Sequence, residues 1–218
     1  LRLKSPDGGG MDWRRTEAAQ IYYRILDQYI APYTEKLSPD AASLLGLGLA
    51  VLVPVGFFLA AALGFLFMAL SAVADGLDGY IARKHGEQTR FGAFLDSTLD
   101  RGADFFYLAG FWVFARGLGF DGFWFPAGIV LAIMASFLVS YTKTRLESLG
   151  GSCDIGTMDR TSRTVFLLGW GLVLVIIPPA RGPILWIGLC AYLVLTLATV
   201  WQRVTLARRV LDQESETV

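Results

Sequence analysis

An apolar run from about Ala41 to Ala74 limits the possible folds of this chain more than any other feature. A helix needs about 20 apolar residues to cross a bilayer, so the run holds one complete span and the first half of a second. We expect the turn between them at residues 54–62 or slightly later. The composition agrees, since 54% of the 218 residues are apolar and only 17% are charged. The sequence therefore predicts an α-helical membrane protein rather than a soluble domain.

Later apolar segments extend this prediction to six transmembrane helices. After the first two, the spans cover roughly residues 91–114, 123–141, 164–177 and 183–200. Ahead of them, aromatic and aliphatic residues recur at helical spacing, which predicts an amphipathic helix lying at the membrane interface. The predicted organisation is a disordered lead-in or expression remnant, an interfacial segment, a six-span domain and a polar tail, at residues 1–10, 11–37, 38–209 and 210–218.

Positive charge is unevenly distributed over this six-span arrangement. Of the 19 Lys and Arg residues, all except Arg116 and Arg181 fall on one side of the membrane. Cytoplasmic loops are enriched in Lys and Arg, so this side and both termini are predicted to face the cytoplasm of a bacterial or archaeal cell. The formal net charge is +0, which gives no reason to expect nucleic acid as a partner.

Four aspartates lie at this cytoplasmic side, where the second predicted span ends and the third begins. Asp75 and Asp78 are three residues apart and Asp96 and Asp100 are four apart, so each pair shares one helix face. Carboxylates in a membrane are costly unless they are paired, metal-bound or hydrated. Two divalent ions shared by four carboxylates would relieve their mutual repulsion. The aspartates therefore predict a two-ion metal site at the membrane surface.

The residues beside the aspartates indicate a ligand that carries phosphate. Gly79 and Gly92 leave bare backbone that a bulky ligand can approach. Arg83 has a guanidinium suited to bidentate contact with phosphate. The alternative is that such aspartates only cap helices or pair with interfacial arginines. Asp104, one turn beyond the set, is expected to pair in this way with Arg101.

A cation channel or transporter is the competing class of protein. Acidic residues at the mouth of a pore select divalent ions without any chemistry. A pore, however, needs acids along a path through the bilayer, whereas these four cluster at one depth beside Arg83, which repels cations. The clustering favours an enzyme of phosphoryl transfer.

The spacing of these residues resembles the signature of the CDP-alcohol phosphotransferase family: Asp75-x-x-Asp78-Gly79-x-x-Ala82-Arg83, eight residues, then Gly92-x-x-x-Asp96-x-x-x-Asp100. The resemblance covers about residues 38–209. It implies an enzyme of phospholipid biosynthesis that transfers a substituted phosphate from a CDP-alcohol to an acceptor hydroxyl and releases CMP. It also implies the same six-span fold and a homodimer surrounded by membrane lipids.

The resemblance gives a role to each fixed position of the motif. Asp75, Asp78 and Asp96 would hold two Mg²⁺ ions, with Mn²⁺ as the alternative metal. Asp100 would complete the metal site and act as general base toward the acceptor hydroxyl. The CDP-alcohol would contact six positions: Asp75, Asp78, Gly79, Ala82, Arg83 and Gly92.

Two weaker patterns concern the acceptor. Residues 95–101 (LDSTLDR) and 140–147 (SYTKTRLE) are similar to the phosphatidylinositol phosphate and archaetidylinositol phosphate synthases of the family. That branch implies CDP-diacylglycerol as donor and inositol phosphate as acceptor. Four basic residues between the fourth and fifth predicted spans would bind the acceptor phosphate: Lys143, Arg145, Arg160 and Arg163. The alternatives are glycerol phosphate as acceptor, a soluble donor such as CDP-inositol, and a role for the four cations in membrane orientation alone.

Overall fold

The computed structural model describes residues 38–85, 89–120 and 122–215, except for the side chains of Asp78, Arg83, His85 and residues 213–215. This part of the chain is helical and contains no strand, which confirms the predicted all-α class. The predicted interfacial helix at residues 11–37 lies outside the described residues. The six α-helices of the described part are α1 Pro39–Leu59, α2 Ala61–His85, α3 Arg90–Gly117, α4 Trp124–Ser148, α5 Arg160–Ile176 and α6 Arg181–Ser215.

Four segments of the described chain are long and apolar enough to cross a membrane. They comprise α1, α2 as far as Ala82, α4, and the segment Pro178–Asp212 that contains most of α6. These four candidate spans are consistent with the predicted polytopic membrane protein. Helix α5 is shorter, with 17 residues, and α3 carries several charged residues in its first half. The crossing of the membrane by these two helices therefore stays a prediction.

The helix boundaries follow local signals in the sequence. Helices α1 and α2 are separated at Ala60, inside the range predicted for the first turn. Helix α3 begins after Thr89, whose hydroxyl accepts a hydrogen bond from the Gly92 amide at 2.8 Å. Helix α5 begins after Asp159, whose carboxylate accepts from the Ser162 amide at 2.8 Å. Both are N-caps, which satisfy amides that have no partner within the helix. Helix α6 continues to residue 215, so the tail predicted from residue 210 begins within it.

A column of aromatic rings holds four of the helices together. Phe57 of α1 lies with its ring centroid 5.2 Å from that of Phe111 and 5.6 Å from that of Phe114, both on α3. Phe111 stacks on Trp170 of α5 at 4.0 Å, and the Trp170 indole donates to the Ile184 carbonyl of α6 at 3.0 Å. The apolar core thus fixes α1, α3, α5 and α6 relative to one another.

Gly64 lets the hairpin of α1 and α2 close. A Cβ atom at this position would lie 2.2 Å from the Phe57 ring, and Phe57 is 2% exposed, so the ring has nowhere to move. Overpacking of this kind costs about 1–3 kcal/mol. We expect Gly64→Ala to lower the melting temperature in detergent. Gly48→Ala is the control, because a Cβ there meets nothing within 4 Å. Equal melting temperatures for the two variants would contradict this packing.

Candidate active site

Three carboxylates from two helices meet at one end of the bundle. Asp75 comes from the last turns of α2, and Asp96 and Asp100 come from the first half of α3. One oxygen of each lies within 4.8 Å of the others. The side chains of Asp75 and Asp96 are 38% and 35% exposed, whereas that of Asp100 is 11% exposed. The structure therefore brings together three of the four predicted metal ligands; the side chain of the fourth, Asp78, lies outside the described part.

Arg160, the first residue of α5, lies against all three carboxylates. Its Nη1 donates to Oδ2 of Asp96 at 3.1 Å. Its Nη2 contacts Oδ1 of Asp75 and Oδ1 of Asp100. One guanidinium thus forms ion pairs with three carboxylates on two other helices. Arg160 was predicted to bind the acceptor phosphate, and in this structure its partners are the predicted metal ligands.

A second ion pair joins α5 to α3. It lies deeper in the bundle, about one turn further along each of these two helices. Nε and Nη2 of Arg163 donate to Oδ2 of Asp104 at 3.0 and 2.9 Å, and the two side chains are only 2% and 8% exposed. The expected pairing of Asp104 with Arg101 is therefore wrong, because Arg101 donates to the Ser97 carbonyl within its own helix. Arg163 reaches Asp104 instead because its long side chain extends from α5, which packs on α2, across to α3 in the interior.

The three clustered carboxylates fit a hard divalent cation. Mg²⁺, Mn²⁺ and Ca²⁺ prefer oxygen ligands, and carboxylates supply both the oxygens and the compensating charge. One guanidinium offsets only part of the negative charge of Asp75, Asp96 and Asp100. Their oxygens are near enough to one another to share an ion. The arrangement can therefore hold a divalent metal and place it beside an arginine, which is suitable for binding phosphate.

Comparison with known sequences identifies the family. The sequence profile described as CDP-alcohol phosphatidyltransferase matches residues 37–210. The chain belongs to the CDP-alcohol phosphatidyltransferase family. It is therefore a transferase of substituted phosphate groups, and the channel or transporter alternative is set aside.

Several similar proteins are named as phosphatidylinositol phosphate or archaetidylinositol phosphate synthases. The phosphatidylinositol phosphate synthase of Streptomyces avermitilis is 34% identical over 202 residues, covering 88% of this chain and 81% of the relative. The archaetidylinositol phosphate synthase of Methanothermobacter thermautotrophicus is 32% identical over 158 residues, covering 71% and 77%. A crystal structure of Mycobacterium tuberculosis phosphatidylinositol phosphate synthase with CDP-DAG bound matches with a TM-score of 0.60 at 27% identity, covering 88% of this chain and 93% of that one. The same enzyme with manganese and citrate gives a TM-score of 0.55 at 30% identity, covering 84% and 88%.

Other fixed positions of the family motif lie on the same two helices as the carboxylates. Gly79 and Ala82 are half-buried on the last turns of α2, and the side chain of Arg83 lies outside the described part. Gly92 opens α3, where a Cβ atom would lie 3.6 Å from Oδ1 of Asp40 at the start of α1. The nearer atom is Oγ1 of the N-cap Thr89, at 3.0 Å, so the glycine leaves room for that side chain.

The predicted acceptor residues on α4 lie near its end. Lys143 pairs with Glu147 of its own helix at 3.8 Å, and Arg145 is exposed. One turn earlier, the hydroxyl of Ser140 accepts a hydrogen bond from Arg163 at 3.4 Å. This contact places the end of α4 beside the beginning of α5, so the four predicted cations belong to adjoining helix ends.

A buried chain of hydrogen bonds supports the carboxylates from within the bundle. The Tyr107 hydroxyl of α3 donates to Ser71 of α2 at 2.8 Å, and Ser71 donates to the Gly46 carbonyl of α1 at 2.7 Å. A Cβ atom at Gly46 would lie 3.5 Å from the amide nitrogen of Asp75, so the two backbones are close. These hydrogen bonds therefore hold the part of α2 that carries Asp75 against both α1 and α3.

Helix α6 holds the loop that leads into α5. Arg203, which is 4% exposed, donates to the Ile155 carbonyl at 3.0 Å. The Met158 amide donates to the Thr199 hydroxyl at 3.2 Å. Between them Gly156 adopts a φ of +113°, which L side chains rarely adopt, and a Cβ there would lie 2.5 Å from Thr199. These contacts set where α5 begins and hence where Arg160 lies.

The sequence contains a signal for the deeper ion pair outside the four-aspartate motif. Asp96, Asp100 and Asp104 follow one another at intervals of four residues, so they share a face of α3. Arg160 and Arg163 are three residues apart and share a face of α5. Two arginines on one helix therefore match aspartates on the other. The roles of Ser71, Tyr107 and Arg203 had no comparable signal, because single polar residues in apolar helices do not show which helix they face.

Proposed function

We propose that this chain transfers the phosphatidyl group of CDP-diacylglycerol to an inositol phosphate and releases CMP. The observation that carries the proposal is the meeting of Asp75, Asp96 and Asp100 with Arg160 at one end of the bundle. The family match and the names of the relatives, phosphatidylinositol phosphate synthase and archaetidylinositol phosphate synthase, support this donor and acceptor.

The carboxylates are the proposed site of two Mg²⁺ ions, which Mn²⁺ can replace. Asp75, Asp78, Asp96 and Asp100 are the proposed ligands. The manganese in the structure of the Mycobacterium tuberculosis relative supports a divalent ion here. When bound, such ions neutralise the diphosphate of the donor and polarise its phosphoryl oxygens.

In the proposed reaction the acceptor hydroxyl oxygen attacks the phosphorus that carries the lipid alcohol. A new P–O bond forms, the bond between this phosphorus and the oxygen of CMP breaks, and CMP leaves. A carboxylate oxygen of Asp100 accepts the hydroxyl proton as general base. Its low exposure, 11%, supports this role because few water molecules can compete with the acceptor for its oxygens. Gly79, Ala82 and Gly92 leave room for the cytidine, and Arg83 contacts the diphosphate.

The acceptor phosphate is proposed to bind Arg160, Lys143 and Arg145. These cations come from the adjoining ends of α4 and α5, and Arg160 touches the carboxylates where the reaction takes place. Arg163 was also predicted to bind the phosphate. In this structure its guanidinium is buried on Asp104, so direct contact with phosphate stays a prediction. We assign Arg163 the role of holding the first turn of α5, so that Arg160 is presented to the site.

All six helices are proposed to cross the membrane, with the active site and both termini in the cytoplasm. Arg181, one of the two cations that the sequence assigns to the opposite side, lies 5.5 Å from the ring centre of Phe114, near the end of α3 remote from Asp96. The proposed orientation is supported by this separation of charge, because cytoplasmic segments are enriched in Lys and Arg. A homodimer is the assembly implied by the family resemblance, and light scattering of the detergent-solubilised protein tests it.

Release of CMP by the purified protein tests the proposed reaction. Donors are CDP-diacylglycerol and CDP-inositol, and acceptors are inositol phosphate, inositol and glycerol phosphate. We expect CMP from CDP-diacylglycerol with inositol phosphate in the presence of Mg²⁺, and none after chelation of the metal. Activity only with glycerol phosphate, or only with CDP-inositol, would replace the proposed substrates by those alternatives. Absence of CMP with every pair would overturn the proposed function.

A further inference from the structure

Arg160 and a metal ion need the same oxygen atoms. The three carboxylates whose oxygens approach within 4.8 Å of one another are the three that Arg160 contacts. An ion such as Mg²⁺ takes carboxylate oxygens as ligands, so it would compete with the guanidinium for these atoms. The two cations therefore exclude each other from the centre of the cluster.

We propose that Arg160 acts as an internal counter-cation that leaves the carboxylates when metal binds and then takes the acceptor phosphate as its partner. This inference rests on the proposed function, because it concerns the same metal and the same phosphate. Two divalent ions would supply the charge needed by four carboxylates, so the guanidinium becomes available to another anion. Arg160 would thereby link the metal site to the phosphate site.

The surroundings of Arg160 allow its side chain to move while its backbone stays in place. The side chain is 37% exposed, and it extends from the first residue of α5. The backbone at this point is fixed by the N-cap Asp159 and, one turn later, by the buried pair of Arg163 with Asp104. A change of partner therefore needs only rotation of one long side chain.

The exchange predicts that metal and phosphate assist each other in binding. Metal releases Arg160 for phosphate, and phosphate draws Arg160 away from the oxygens that the metal needs. Such coupling is reciprocal by thermodynamic necessity, and it typically amounts to about fivefold or more in affinity. Without Arg160 the carboxylates have lost their competitor, so metal should bind more tightly and independently of phosphate.

The test measures Mn²⁺ binding to the whole 218-residue chain in detergent by the electron paramagnetic resonance of free Mn²⁺, with and without inorganic phosphate. In the wild type we expect phosphate to tighten Mn²⁺ binding about fivefold or more. In Arg160→Gln we expect tighter Mn²⁺ binding without phosphate and no further gain when phosphate is added. A titration without protein corrects for binding of phosphate to Mn²⁺ itself.

Two matched variants separate the exchange from a general effect of charge. Arg145→Gln removes an exposed cation of the proposed phosphate site, so it should weaken the phosphate effect but leave Mn²⁺ binding without phosphate unchanged. Arg208→Gln, 84% exposed on the last turns of α6, should behave as wild type. Physiological salt screens the long-range effect of either charge.

The proposal is overturned by equal phosphate effects in wild type and Arg160→Gln, or by unchanged or weaker Mn²⁺ binding in that variant. If Arg160→Gln does not fold, Arg160→Lys replaces it in the test, because lysine keeps the charge but loses the bidentate guanidinium. We expect a reduced phosphate effect in Arg160→Lys, and an undiminished effect would overturn the proposal. A wild type insensitive to phosphate would do so alone. These readouts do not involve turnover, so a protein with CMP release but no coupling would retain the proposed function and lose only this inference.

Discussion

Replacing Asp100 by asparagine should abolish most of the turnover while the protein still binds metal. Asparagine keeps one oxygen in the place of the carboxylate but cannot accept the proton of the acceptor hydroxyl. Loss of a general base reduces rates by about 10²–10⁴-fold. We expect a fall in kcat of this order, measured as CMP release at saturating Mg²⁺, with Mn²⁺ affinity changed far less. The burial of Asp100 among the three clustered carboxylates is the reason to single it out.

Asp96→Asn gives the contrasting result that makes this prediction specific to Asp100. Asp96 is 35% exposed, against 11% for Asp100, and we propose it only as a ligand of the metal. Its replacement should weaken Mn²⁺ binding, and high metal concentrations should restore part of the activity. Asp212→Asn serves as the surface control, since that side chain is 70% exposed. Wild-type kcat in Asp100→Asn would end the assignment of the general base.

The convergence of the aspartates could be predicted from the sequence, because residues three or four positions apart in a helix share one face. Asp96 and Asp100 need no tertiary information to lie together on α3. The meeting of this face with Asp75 follows from a short connection between neighbouring helices. Membrane helices also tolerate such acids only where they are neutralised. These local and energetic constraints leave few alternatives for the site.

The partners of the arginines could not be predicted, because they depend on how far α5 is shifted along α3. From the sequence, Arg160 and Arg163 were both predicted to bind the acceptor phosphate. In the structure Arg160 binds the partly exposed carboxylates of the predicted metal site, whereas Arg163 is buried on Asp104. A shift of one turn, about 5.4 Å, would bring Arg160 to the level of Asp104 or Arg163 to the level of Asp100. That shift is set by contacts such as those of Arg203 and Thr199 with the loop before α5, which no local pattern reveals.

The ends of the helices show the same difference between what can and cannot be predicted from local sequence. The apolar run at residues 41–74 was enough to predict α1, α2 and the turn between them, because hydropathy alone limits where a span can lie. The ends of α4 and α6 extend beyond their predicted spans to residues 148 and 215. Helical hydrogen bonding continues in water wherever the residues permit it. Hydropathy therefore predicts the membrane-embedded part of a helix and not its whole length.

Breaking the buried ion pair should have the largest effect on stability. In Arg163→Leu the carboxylate of Asp104, 8% exposed, would remain without its partner in the interior. Removal of one member of a buried pair costs about 3–5 kcal/mol, because the other charge is left uncompensated. We expect a decrease of this size in the free energy of unfolding, measured by denaturation in mixed detergent micelles.

The double variant Asp104→Leu with Arg163→Leu should recover much of that loss, since it leaves no unpaired charge and apolar residues can fill the space. A double-mutant cycle then gives the coupling between the two positions. Arg208→Leu, from a pair with 84% and 70% exposed side chains, should cost less than about 1 kcal/mol. If the pair also positions Arg160, the stable double variant should still show a raised KM for inositol phosphate and an unchanged affinity for CDP-diacylglycerol. A wild-type KM in that variant would reduce the pair to a structural role, because the first turn of α5 would then be placed correctly without it.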